Sequence, residues 1–161
     1  MKKAIALFLI LTLTLISFSG CRKTLPKEMP DDFSFSICWG LGSNTYDSVT
    51  GVLRSPTGTV TCFLSDEELE SVYEILRDLK LHRYDDEISP YTFLSGDPCS
   101  DVYITVHADG FDKTVTCRSV MKYKGLTPKT DRYLKAIKKI SEILTATDEW
   151  KSLPPDTTEY M

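Results

Sequence analysis

Ser65-Asp66-Glu67-Glu68-Leu69-Glu70-Ser71-Val72-Tyr73-Glu74-Ile75-Leu76-Arg77-Asp78-Leu79-Lys80 is the stretch around which the rest of the chain can be ordered. Ser65 with Glu68 three residues on is a capping box, in which each side chain satisfies a backbone N–H at the start of a helix. Leu69, Val72, Tyr73, Leu76 and Leu79 then recur at the spacing of one helical face. Glu70, Glu74, Arg77, Asp78 and Lys80 fill the other. A helix with one apolar stripe must bury it against something.

The flanking segments supply that surface. Downstream, Asp101–His107 and Phe111–Cys117 alternate polar and apolar residues around Ala108-Asp109-Gly110, and Asp-Gly between two such runs predicts a hairpin. Upstream, Phe33–Trp39 alternates at its start, and Val49–Arg54 and Thr59–Leu64 read as short strands around Ser55-Pro56-Thr57-Gly58. Leu41–Ser48 reads as turn-forming, and residues 84–100 as a loop with Pro90, Gly96 and Pro98. A last helix is expected from Pro128 or Thr130 to Leu144, with Tyr133, Leu134, Ile137, Ile140, Ile143 and Leu144 on its apolar side. A short turn around Trp150 follows, and Pro154-Pro155 opens a disordered tail over 154–161. The prediction is a single α+β domain over 33–153. Its antiparallel sheet has four to five strands and both helices on one face, in the order strand pair, helix, strand pair, helix.

Composition agrees with one globular domain. Of 161 residues 42% are hydrophobic and 26% charged, which excludes collagen-like, low-complexity and wholly disordered chains. The net charge of −4 gives no reason to expect nucleic acid as a partner.

The N-terminus carries an address. Lys2 and Lys3 precede an uncharged apolar run from Ala4 to Ile16, then Ser17-Phe18-Ser19-Gly20-Cys21, the three-part pattern of a secretory signal. The run is short for a permanent span, which needs roughly 20 apolar residues. Phe18-Ser19-Gly20-Cys21 resembles the lipobox of bacterial lipoproteins, with Phe18 in place of the usual Leu. The resemblance implies that the Cys21 thiol receives a diacylglyceryl group and that residues 1–20 are removed as signal peptide. Two acyl chains anchor stably where one binds only marginally. The expected location is the extracytoplasmic face of the cell membrane, held by lipid on Cys21. Loss of Lys2 and Lys3 makes the body more acidic, so anionic lipid should repel it, and residues 21–32 are expected to act as a polar tether.

Four further cysteines, Cys38, Cys62, Cys99 and Cys117, allow three disulfide connectivities outside the cytoplasm. Their placement in the two halves favours Cys38–Cys62 and Cys99–Cys117. The alternative is that some are free thiols packed as small core residues. Zinc is not expected, because no pair has the short C-x₂₋₄-C spacing.

No catalytic, cofactor or metal motif is present. His82 and His107 lie in no metal pattern, and a triad assembled from either has no support in spacing. Asp85-Asp86-Glu87 and the set Asp97, Asp101, Asp109 and Asp112 lack calcium-loop spacing and read as loop carboxylates. Lys135, Lys138 and Lys139 read as a solvated helix face. Most of Trp39, Tyr46, Tyr84, Tyr91, Phe93 and Tyr103 read as core, with Tyr91 and Phe93 the candidates for a binding face.

Two stretches resemble a group of uncharacterised lipoproteins and secreted proteins of Gram-positive bacteria. Asn44-Thr45-Tyr46-Asp47-Ser48-Val49-Thr50-Gly51-Val52-Leu53 is similar to a Y-D-S-x-T-G-x-L segment, followed by Leu64-Ser65-Asp66-Glu67-Glu68 opening a helix. Thr147-Asp148-Glu149-Trp150-Lys151-Ser152-Leu153-Pro154 is similar to T-x-E-W-x-x-L-P. The group brings no activity and no site residues. The expectation is therefore a non-enzymatic binding or accessory domain with an envelope protein or ligand as partner. The alternative is a small hydrolase with a site built from dispersed loop residues.

Overall fold

The capping box forms as read. Ser65 Oγ accepts the Glu68 N–H at 3.3 Å, and the Glu68 carboxylate accepts the Ser65 N–H at 2.9 Å. From there α1 (Asp66–Leu79) buries Val72, Tyr73, Leu76 and Leu79. It stops at Lys80, whose left-handed backbone (φ 58°) turns its N–H back to Arg77 O. The computed structural model describes residues 24–40, 42–89, 101–118 and 127–155.

Four strands precede α1: β1 (Ser34–Trp39), β2 (Asn44–Asp47), β3 (Val52–Ser55) and β4 (Gly58–Thr61). After it come a 3-10 turn (Leu81–Arg83), β5 (Glu87–Ile88), β6 (Val102–Ala108) and β7 (Phe111–Cys117). The chain then forms α2 (Pro128–Ala146) and the short α3 (Asp148–Lys151). The strands make one sheet in the order β4-β3-β2-β1-β6-β7-β5, antiparallel throughout except for the parallel pair β5–β7. The α+β class holds, with both long helices in one core. The strand count and order are corrected: seven strands among the described residues, with four ahead of the first helix. β2 was hidden in the turn-forming stretch because only its Tyr46 is buried, and β5 in the loop because it has two residues.

Register explains the two layers. Val60, Leu53, Tyr46, Ile37, Ile104 and Val115 line up across six strands, and alternation puts them on one face. α1 and α2 cover that face. Tyr73 of α1 meets Phe33 edge-on at 4.9 Å, and the buried Tyr133 of α2 donates its hydroxyl to Val115 O at 2.5 Å. The neighbouring row, Thr59, Arg54, Thr45, Cys38, Tyr103 and Thr116, lies on the other face. An antiparallel sheet tolerates this, since one face can be apolar and the other polar. The Asp109-Gly110 hairpin turn forms with both residues at positive φ (46° and 65°), as such a turn requires.

The helices run antiparallel. Cys62, just before α1, contacts Thr147 at the end of α2, while Tyr84, just after α1, packs on Tyr133 near the start of α2 at 5.7 Å. The last helix begins at Pro128 behind a Thr127 cap and extends to Ala146, two residues beyond the expected end.

Candidate functional site

The predicted tether is not a free strand from Thr24 onward. Tyr73 Oη donates to Pro26 O at 2.9 Å and to Glu28 O at 3.2 Å, and Arg77 donates to Lys27 O at 2.7 Å. Leu25 and Met29 pack on the core. The segment is thus laid along the flank of α1, and its end is clamped to the β6–β7 turn. Both oxygens of Asp32 accept the Asp109 N–H, at 2.9 and 3.0 Å.

His107 completes that clamp. Its Nδ1 lies 2.5 Å from Asp112 and its Nε2 3.5 Å from Asp32. The Asp112 hydrogen bond and charge, with Asp32 behind them, raise the imidazole pKa above its usual value. Ser34 is the cross-strand neighbour of His107, so a Ser–His–Asp row does lie on the polar face. The row is not arranged for nucleophilic catalysis. Triad chemistry needs the second ring nitrogen free to take a serine proton, and here that nitrogen faces a carboxylate. Two acidic neighbours favour the charged form of the ring, and its contacts to both hold the segment in place.

The acidic run after α1 is likewise compensated residue by residue. Asp85 pairs with Lys129, Asp86 with Lys113, and Glu87 with Arg118 at 2.5 Å. Among the described residues no group of three or more His, Cys, Asp or Glu could hold a metal ion. Asp97, Tyr91 and Phe93 lie outside the described residues.

The cysteine pairing Cys38–Cys62 is corrected. Cys38, Cys62 and Cys117 are buried free thiols. Cys38 lies on the polar face and reaches Asp101 O at 3.7 Å, while Cys62 lies at the end of α2 beside Thr147 and Glu149. Burial raises all three thiol pKa values, that of Cys117 to about 11, which leaves them protonated and inert. The second expected pair joins Cys117 to Cys99. Cys99 and Cys21 lie outside the described residues.

The stretches 44–53 and 147–154 act as folding devices, and Asn44 of one and Trp150 of the other line the same concavity. In the first, Asp47 Oδ1 accepts the Thr50 N–H and hydroxyl at 2.8 and 2.9 Å, Ser48 Oγ accepts the Phe35 N–H, and Gly51 turns at φ +66°. Tyr46 is buried, its hydroxyl donating to Cys62 O at 3.2 Å. In the second, Thr147 caps α3 and Trp150 lies 5.8 Å from Trp39. Neither gathers reactive groups.

Among the concavities of the described residues, two lie along α1. A groove of about 1030 Å³ runs between α1 and α2, with Ile75, Leu79 and Ile143 in its lining, Glu74 and Asp78 on one rim and Arg132 opposite. Of the three lysines noted on α2, Lys135 is taken by Asp131 at 2.8 Å and Lys138 by Glu142 at 3.8 Å, both along the helix. A smaller cleft of about 320 Å³ opens at the end of α1, where Thr24 and Leu25 meet Arg77, Lys80 and Arg83. Sequence reasoning passed over this cleft. The i, i+3 spacing of Arg77, Lys80 and Arg83 was visible, but the return of residues 24–28 to the same place was not.

No protein family, no curated protein and no solved structure matches this chain.

Proposed function

We propose that this chain is a lipid-anchored protein of the extracytoplasmic membrane face, whose domain is a non-enzymatic binding or accessory module for an envelope protein or ligand. The observation that carries the reading is the closeness of lipobox and domain. Thr24, three residues after Cys21, already borders the cleft at the end of α1. A chain folded so near its processing site presents a domain at the membrane surface. The locked His107 and the inert thiols favour a binding role over catalysis by those groups.

The test is the intact mass of the protein extracted from its native membrane. A mass without residues 1–20 and with a diacylglyceryl adduct supports the reading. Full-length, unlipidated protein would refute it. In the Cys21→Ala variant, lipid labelling should vanish and uncleaved precursor should accumulate.

A further inference from the structure

We propose that the pole around Thr24 is a docking surface for anionic phospholipid headgroups, so that the domain is seated on the bilayer in one orientation. This rests on the reading of Cys21 as the lipid anchor and adds to it the face that touches the membrane.

Chain length fixes which face is near. Only Arg22 and Lys23 separate Cys21 from Thr24, and three residue steps reach at most about 11 Å even when fully extended. From Thr24 the backbone is tied to α1 through Tyr73 and Arg77. A lipid on Cys21 therefore brings the end of α1 to the headgroups.

The charges there are of the matching sign. Lys27, Lys80 and Arg83 are exposed, and none is in an ion pair among the described residues. Elsewhere the cations are largely spent: Lys113, Arg118, Lys129, Lys135, Lys138 and Lys151 each face a carboxylate. The nearby acids Glu74 and Asp78 are held by Arg77, at 3.7 and 3.9 Å; of the exposed acids of the anchor segment, Asp32 is held by His107 and the Asp109 N–H at the far end, which leaves Glu28 and Asp31. The cleft adds Leu81 and Phe111 to the three basic groups Arg77, Lys80 and Arg83, an apolar base with cations around it. Lys80 also holds a left-handed backbone that glycine adopts without strain, so its presence is not explained by the turn. An acidic body is thereby turned basic side down, and the repulsion expected of its net charge is avoided at the contact.

Each Lys or Arg brought to an anionic surface shifts the docking equilibrium about fivefold. The full chain, in its membrane-extracted form, is reconstituted into vesicles of phosphatidylcholine alone or with phosphatidylglycerol. An impermeant amine reagent is then applied and read by peptide mass spectrometry. Lys27 and Lys80 should label about fivefold or more slowly on the phosphatidylglycerol vesicles, with Lys138 and Lys139 unchanged. High salt should erase the difference. Arg83→Gln should lose about fivefold of the Lys80 protection, while Arg83→Lys keeps it. Equal labelling of Lys80 on both vesicles overturns the proposal. So does equal protection by inorganic phosphate on phosphatidylcholine vesicles, which would mark a site for the free anion. The intact mass of the same sample tests the anchor alone, and the labelling tests the docked face alone.

Discussion

Replacing Gly51 by alanine tests whether the Asp47–Gly51 turn is built as described. Gly51 sits at φ +66°, where a side chain costs roughly 1–2 kcal/mol. Against this, alanine loses less backbone freedom on folding and recovers about 0.4–1 kcal/mol. The new Cβ would also lie 2.8 and 2.9 Å from the Phe63 ring and 3.0 Å from Cys62 O. Phe63 is 68% exposed and can swing aside. Cys62 cannot, because its carbonyl accepts Tyr46 Oη and its N–H donates to Gly51 O at 2.7 Å. The contacts add to the backbone cost, and the expected destabilisation is roughly 1–2 kcal/mol. A urea titration followed by tryptophan fluorescence reads it, since Trp39 is buried in the core with its ring 5.8 Å from that of Trp150 and both report global unfolding. Adding Phe63→Ala should relieve only the ring contact and leave the backbone cost. An unchanged or raised midpoint for Gly51→Ala would refute the left-handed turn.

Three further outcomes are expected. Ser65→Ala should cost about 1 kcal/mol by removing the α1 cap, and an unshifted urea midpoint would place the helix start elsewhere. The His107 clamp should depend on pH. Because its folded pKa is raised, its contribution is complete below the ordinary histidine value and is lost as pH rises through the folded one. Hydrogen exchange at the Asp109 N–H should therefore be slow in acid, after correction for intrinsic rates, and lose protection on the alkaline side. His107→Asn should abolish that pH step, and a step persisting in the variant would assign it to another group. Cys38, Cys62 and Cys117 should resist alkylation in the native protein and all react once it is denatured; a thiol that never reacts without reductant would contradict the free state.

Local signals were legible where they were dense. The α1 stripe, the Ser65–Glu68 box and the Asp109-Gly110 turn each depend on residues within a few positions of one another, so they read directly. β2 and β5 did not, because a strand with one buried residue, or with two residues in all, has no period to detect. Their existence depends on the edges that β1, β3 and β7 offer them. The clamp around His107 was illegible for a different reason. Asp32 is 75 positions away, and only the return of the N-terminal segment along α1 brings it to the ring. The acidic run 85–87 reads as loop carboxylates, but its partners Lys113, Arg118 and Lys129 come from β7, the residue after it and α2.

By itself the sequence determined the α+β class, the two long helices and the central hairpin, since each is written in neighbouring residues. Tertiary structure decided the seven-strand order, the free thiols, the locked histidine and the basic pole at Thr24. The reason is that pairing across a sheet and charge compensation depend on which distant segments share a surface, and no local pattern of residue types encodes that.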